Sequence, residues 1–415
     1  MPRLRLAHPL WLDHAPRPAV LPPLERTLHV DVAIVGGGIT GISAAWMFAE
    51  AGLRVGLLES ARIGRGSTAA STALLMQEPD CDFAELAERY GLRRARRIWQ
   101  MSRTATRRLI RALRELHIPC ALAECDSIYY ATRVDSARRL RAEHQRRATA
   151  GLRCKWLDQA ALGRAVGIRG AGAIRTRGNG QVDPYRACLG LARAARREGA
   201  RLFEHSPVEQ IESHSKGVSV ITRAGRLEAD QVVIATGYAT SAFKPLTANF
   251  RLMNTYVAAT RRMTAREQRA IGLGEVMVWD TARPYHYARW TADRRLVLGG
   301  GDRPQLTGPR RVRAFRDGIA DLRRHFERLL PALAAIKNDF AWEGLFATTP
   351  DGLPYIGAHA EYPRHLFALG YGGNGMTFGF LAARLLLDWH RGGRSPDQQL
   401  FAFERERRKR LQGGT

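Results

Sequence analysis

With 415 residues, 45% of them hydrophobic, and with 40 Gly and 19 Pro, the chain is long enough to bury a large core and is expected to form two domains. Its five cysteines form no CxxC pair and its histidines show no metal-ligand spacing, and no window approaches the ~18 apolar residues of a spanning helix; this argues against a disulfide scaffold, a metal site and a membrane span. The formal net charge of +26 comes almost wholly from Arg, with Lys only at 155, 216, 244, 337 and 409, and reads as a preference of the whole chain rather than a nucleic-acid patch.

Residues 1–28 are rich in Pro and Arg and lack a sustained apolar stretch. They read as an N-terminal extension that is neither a signal peptide nor a span, and the expected location is the cytoplasm. The apolar run 32–35 then reads as a buried parallel strand entering the turn Gly36-Gly37-Gly38-Ile39-Thr40-Gly41. A helical run over 42–51 follows, then a second strand over 53–58 that ends in Glu59. Each part suits an adenine dinucleotide. Gly36 permits the tight turn, Gly38 lets a pyrophosphate reach the main chain, and Gly41 lets the helix pack close to the strand. The helix N-terminus offers free N–H groups to the phosphates, and Glu59 stands where an acid can hold ribose hydroxyls. An acid rather than an Arg at 59 disfavours the 2′-phosphate of NADP and suits FAD or NAD alike.

The loop 62–73 is made of small residues, which suggests a close approach of main chain to a ligand. From 85 to 117 the pattern is helical: Ile98, Met101, Ala105, Leu109, Ala112 and Leu116 make one apolar stripe, and Arg96, Arg103, Arg107, Arg111 and Arg114 a solvated face. A strand is expected over 127–132, a basic helix over 136–150, and a turn over 178–185 leading into a helix to 198. Strands are expected over 201–204, 208–211, 218–222 and 231–237. The segments 249–262, 276–280, 285–290 and 295–301 read as an antiparallel sheet. A helix over 312–330 stops at Pro331, and 342–357 reads as a turn-rich stretch. A short strand over 366–369 enters the glycine loop 370–375 and a closing helix over 376–390, and the charged end, 403–415, reads as loosely ordered.

The fold class expected is α/β: a Rossmann-like, dinucleotide-binding domain (an FAD-binding domain by the resemblance given below) with a discontinuous, antiparallel-sheet substrate domain of α+β character. The first would comprise 29–83, 151–241 and 346–395, the second 84–150 and 242–345, with 396–415 a basic C-terminal tail. A chain that leaves and re-enters its nucleotide domain usually places substrate at the interface.

Four segments carry a resemblance over about residues 28 to 390: 35–41 with Glu59; Gly66-Ser-Thr-Ala-Ala-Ser-Thr72; Val232-Val-Ile-Ala-Thr-Gly237; and Thr349-Pro-Asp-Gly-Leu-Pro-Tyr-Ile-Gly357 with Gly370-Tyr-Gly-Gly-Asn-Gly-Met376. Together they resemble the FAD-dependent amine and amino-acid oxidoreductases of the D-amino-acid oxidase superfamily, which includes glycine oxidase, sarcosine oxidase and γ-glutamylputrescine oxidoreductase. The resemblance implies that Glu59 holds the adenosine ribose and that Gly36, Gly38 and Gly41 form the pyrophosphate turn. It also implies that Gly66, Ser67 and Thr68 run past the flavin, Val208 meets the adenine side, and Gly237 lines the cofactor. Gly372, Gly373, Asn374, Gly375 and Met376 would present amides to the flavin pyrimidine edge, where a helix N-terminus stabilises the negative charge of reduced flavin.

The implied reaction is oxidation of a C–N bond to an imine by hydride transfer to flavin N5, followed by hydrolysis. The substrate would be a small-molecule amine or amino acid, with oxygen or an electron carrier as acceptor. Some relatives attach FAD covalently through a Cys near the last glycine loop or an early His; here no Cys follows Cys188 and 66–73 contains no His, so noncovalent FAD is expected. Arg289 is the candidate carboxylate clamp, since alternation along 285–290 puts Tyr285, Tyr287 and Arg289 on one strand face, with His286 facing the other way. Two alternatives are an RNA-associated flavoprotein related to the oxidising domain of a tRNA wobble-uridine-modifying enzyme, and an NAD-dependent dehydrogenase. Neither a methyltransferase partner domain nor aromatic interleaving in the basic helices is present, so no nucleic-acid partner is expected.

Overall fold

The computed structural model describes residues 5–13 and 18–405. Two sheets organise the chain. The first has a parallel centre in the order Tyr362–Leu369, Arg226–Gly237, Thr27–Val35, Val55–Leu58, Arg201–Phe203. Val32, Ala33, Ile34, Leu57 and Val233 are fully buried there, as expected of strands covered on both faces. The helix Ile39–Glu50 buries eleven of its twelve residues, lying against the helices Pro184–Arg197 and Gly375–His390. Asp183 starts the former by accepting hydrogen bonds from the amides of Tyr185 and Arg186, with Pro184 at the first helical position.

The second sheet is larger and mixed. Its centre is Asn338–Thr348, Arg251–Thr260, Leu296–Pro304, His286–Trp290, Met277–Asp280, Ala123–Tyr130 and Ala173–Gln181. Neighbours are antiparallel except Met277–Asp280 with Ala123–Tyr130, which run parallel. The α/β class with a mixed second sheet therefore stands, but several expectations shift. Ala173–Gln181 and Lys155–Leu157 pair into this second sheet, so the nucleotide-side segment that was to begin at 151 begins after 181. Residues 178–181 are strand, not turn.

The helical region from 85 is two helices, Phe83–Tyr90 and Leu92–Glu115, broken at Gly91, whose φ is +78°. The stripe Ile98, Met101, Ala105, Leu109 packs into the core shared with Ile42 and Phe378, so this helix belongs with the first sheet rather than the substrate side. Most of the turn-rich stretch is strand: Asn338–Thr348 and Tyr355–His359 flank the turn at Pro350.

The two ends are less peripheral than composition suggests. Arg5–Leu6 pairs with Asn338–Thr348, and the buried Trp11 donates its indole N–H to the Ser71 carbonyl at 2.8 Å. Residues 406–415 of the expected loose tail lie outside the described residues; the preceding stretch is firmly held. Arg405 is buried and forms two bonds to Asp351, Nε to Oδ2 at 2.7 Å and Nη2 to Oδ1 at 2.9 Å, with its guanidinium 3.8 Å from the Tyr355 ring centre. Tyr90 donates to the same carboxylate. The Pro-Asp-Gly turn thus anchors the end of the chain.

Candidate active site

A cavity of about 380 Å³ runs between the two sheets, from Glu59 and Val208 at one end to Trp279, Tyr285, Tyr287 and Asp302 at the other. Main chain dominates the first end. Gly36 has φ +111°, and its amide donates to the Leu58 carbonyl at 2.9 Å. A Cβ on Gly41 would stand 1.9 Å from the Gly36 oxygen, so the helix reaches the turn only with glycine there. Gly41 acts through this packing and does not line the cavity, whereas Gly36, Gly38, Glu59, Gly66, Ser67, Thr68, Val208 and Gly237 do. Gly38 offers no side-chain cap to the helix Ile39–Glu50, and Thr68 Oγ1 accepts from the Ile39 amide at 2.9 Å. Glu59 is fixed by the Gly37 amide on Oε2 and the Ala61 amide on Oε1, each 2.8 Å away. These features fit a dinucleotide: a helix N-terminus on the cavity wall for phosphate and an oriented carboxylate for ribose.

Across the cavity, Gly372, Gly373, Asn374, Gly375 and Met376 all line the wall. The helix they open, Gly375–His390, again has no side-chain cap. Asn374 Nδ2 donates to the carbonyls of Met76 and Glu78, which fixes the loop, while its Oδ1 is buried without a partner. The Gly373 amide donates to Asp80 Oδ2 at 2.7 Å, so it holds a side chain of this protein.

At the far end Tyr285 and Tyr287 line the cavity, with ring centres 5.9 Å apart. Tyr285 donates to Asp80 Oδ1 at 3.1 Å, and burial pushes both phenols well above their ordinary pKa. Arg289 is elsewhere. Its guanidinium donates to the carbonyls of Thr72, Val182 and Trp290 and lies over the Trp11 ring at 4.9 Å. Burial pulls it down to about 10, so it stays a cation at neutral pH, but it is walled off from the cavity. The expected clamp is therefore corrected: alternation gave the right face of the strand, but the N-terminal segment and the 72–73 loop cover its far end.

The residues that spacing missed are acids. Glu78, Asp80 and Asp302 all line this end. Asp302 is aimed inward by a β-bulge: opposite Arg251–Thr260 the pairing slips by one residue at Gly300-Gly301, both at positive φ. A Cβ on Gly300 would meet the Tyr285 oxygen at 2.2 Å, and one on Gly299 the Tyr287 ring at 2.1 Å. The run Gly299-Gly300-Gly301-Asp302 was the available signal. Asp302 Oδ1 is buried without a partner. Burial first, then the charge of Asp80, push its carboxyl up to about 7, against the opposing pull of Thr255 and His286.

His286 faces away, as alternation implied, and bonds Asp280 at 3.0 Å. His325 stacks on it at 3.8 Å between ring centres, giving an Asp–His–His group that sequence spacing does not reveal. Among the described residues no helix is long and apolar enough to cross a membrane.

Comparison with known proteins agrees with this geometry. The model of the DAO family, FAD dependent oxidoreductases, matches residues 31–389. The chain is 29% identical to a glycine oxidase of Bacillus licheniformis, over 91% of this chain and 98% of that one. It is 28% identical to γ-glutamylputrescine oxidoreductase of Escherichia coli, over 89% and 85%. The crystal structure of glycine oxidase from Geobacillus kaustophilus superposes with a TM-score of 0.73 at 24% identity, covering 89% of this chain and 96% of that one. That of L-proline dehydrogenase from P. horikoshii gives 0.75 at 18%, covering 93% and 99%; at such identities the likeness is one of fold. The NAD-dependent alternative is set aside, and the chain belongs to the DAO family of FAD-dependent oxidoreductases.

Proposed function

We propose that the protein oxidises the C–N bond of a small amine or amino acid to an imine, with noncovalently bound FAD. The observation that carries this reading is the single cavity that joins a dinucleotide-fitting end to a polar, aromatic end. Bound FAD supplies the acceptor for the hydride that leaves the substrate α-carbon. Glu59 and the N-termini of the helices Ile39–Glu50 and Gly375–His390 would hold it, and the amides around Gly375 would face its pyrimidine edge. Among the described residues no Cys or His lines the cavity, which supports noncovalent attachment.

The protein's own tasks are positional. Tyr285, Tyr287 and Trp279 wall the substrate end and exclude water. Asp302 Oδ1 accepts the proton that the substrate ammonium must lose before its nitrogen lone pair can drive hydride departure. A carboxyl raised to about 7 is suited to that transfer near neutral pH. Water then adds to the released imine. Sarcosine oxidase-like relatives use a lysine over the flavin to activate oxygen; no lysine lines the cavity among the described residues, which supports electron transfer to a carrier over rapid reaction with oxygen.

The visible spectrum of the purified protein tests this first. Flavin absorbance that moves to the supernatant on acid precipitation is expected, as is bleaching by an amine under anaerobic conditions. Slow return of colour on readmitting air would agree with the carrier reading. A colourless protein that also fails to bind added FAD would overturn it.

A further inference from the structure

This inference rests on the amine-oxidising reading and concerns what the other end of the substrate carries. The chain has 65 Arg and Lys residues, yet among the described residues not one Arg, Lys or His lines the cavity. Arg289 is held by three main-chain carbonyls, and Arg283, whose charge lowers the Asp80 carboxyl, is not on the cavity wall. A substrate carboxylate would therefore enter a cavity with no cation on its wall, where its charge meets acids and uncharged donors.

The residues present have the opposite character. Asp80 is held by the Gly373 amide and the Tyr285 hydroxyl, which fix its two oxygens without neutralising it. Glu78 accepts from Ser127 Oγ at 2.9 Å and Asn179 Nδ2 at 3.1 Å, both uncharged donors. Asp302 has an oxygen with no partner at all. The rings of Trp279, Tyr285 and Tyr287 line the same end, with one face of Trp279 covered by Tyr129, and such rings attract a cation.

We infer that the substrate is a cationic amine that carries no carboxylate, held between Asp80 and Asp302 against the Tyr285, Tyr287 and Trp279 rings. An amino acid would bring to this end the one group for which the wall holds no counter-charge. An alkylamine brings only charge that the acids favour, and a diamine brings two such groups.

The experiment is a titration of the FAD-loaded protein, kept anaerobic and followed by perturbation of the flavin visible bands. The probes are matched in length: n-butylamine, 1,4-diaminobutane and 4-aminobutanoate, repeated with three-, five- and six-carbon sets. In at least one set, both amines are expected to bind at least ten-fold more tightly than the amino acid. Asp302→Asn and Asp80→Asn should each reduce that ratio several-fold while the protein retains its flavin.

Binding of the amino acid as tightly as its matched amines in every set would overturn the inference. So would a ratio unchanged in both variants, or no measurable binding of any amine. Bleaching is read in the same cuvettes and tests the parent reading separately. Flavin reduced by amino acids alone would leave C–N oxidation standing and overturn this inference. Amines that bind and never reduce the flavin would do the reverse.

Discussion

At the Glu59 end the cavity wall is main chain, small residues and one oriented carboxylate, all supplied by short consecutive stretches. At the Asp302 end it is side chains, drawn from residues 78–80, 255, 279, 285, 287 and 302. The first end recognises a ligand shared by many enzymes through amides and helix termini, which any sequence can offer once glycines allow close approach. The second brings together side chains that meet only because strands far apart in sequence lie side by side.

The sharpest way to break the first end is Gly41→Ala. Its Cβ would stand 1.9 Å from a main-chain oxygen that cannot move without unmaking the turn. The expected outcome is loss of bound flavin or of soluble protein, read by absorbance after gel filtration. Next comes a control that touches neither end. Arg405→Ala leaves the Asp351 carboxylate buried and unpaired, which should cost about 3–5 kcal/mol of stability. Chemical denaturation measures that loss, and the amine-to-amino-acid binding ratio should not change.

The second end has a pH signature. Because burial raises the Asp302 carboxyl to about 7 from an ordinary 3.8, the folded state binds the proton more tightly than the unfolded chain. Stability is therefore highest below the ordinary value and falls as pH rises toward about 7. Asp80 pushes in the same direction, while Thr255 and His286 oppose it. Asp302→Asn should remove the slope and stabilise the protein at pH 8 by on the order of 1–3 kcal/mol, with the gain shrinking toward pH 5. Melting curves at both pH values measure this; a slope unchanged in the variant would mean that Asp302 is not the group.

Two smaller changes complete the comparison. Glu59→Gln keeps one acceptor for the Gly37 amide and should weaken FAD binding by roughly ten-fold, about 1.4 kcal/mol, in a flavin titration. Tyr285→Phe removes one donor to Asp80 and should change amine binding by only a few-fold, about 1 kcal/mol, leaving FAD affinity as it was.

The same contrast explains what was legible. The strand–turn–helix at 32–51, Glu59 and the last glycine loop could be read because each function is local: a turn, a close approach, a helix start. Arg289 was chosen by alternation alone, and alternation cannot show that Trp11, 278 residues away in sequence, lies over its end of the strand. Asp302 was passed over because a period-two pattern assumes an unbroken ladder, and the bulge at Gly300-Gly301 changes which way the next side chain points. The strand Asn338–Thr348 was hidden by its own glycine and proline surroundings. The Pro-Asp-Gly turn carries the family resemblance, but the resemblance does not show that its carboxylate is held by Arg405 and Tyr90.

The placement of charge has a kinetic consequence. A net charge of +26 surrounds a cavity whose substrate end holds only acids. A cationic substrate is then repelled over the last few nanometres of its diffusion and attracted only at the mouth, so its encounter rate is limited by the surface rather than helped by it. Added electrolyte shortens the reach of that repulsion to about 8 Å at physiological ionic strength, while pairs inside the cavity are screened much less. For an amine, kcat/KM should consequently rise between low and physiological ionic strength, the reverse of the usual steering behaviour. An anionic electron acceptor meeting the same surface would show the opposite trend.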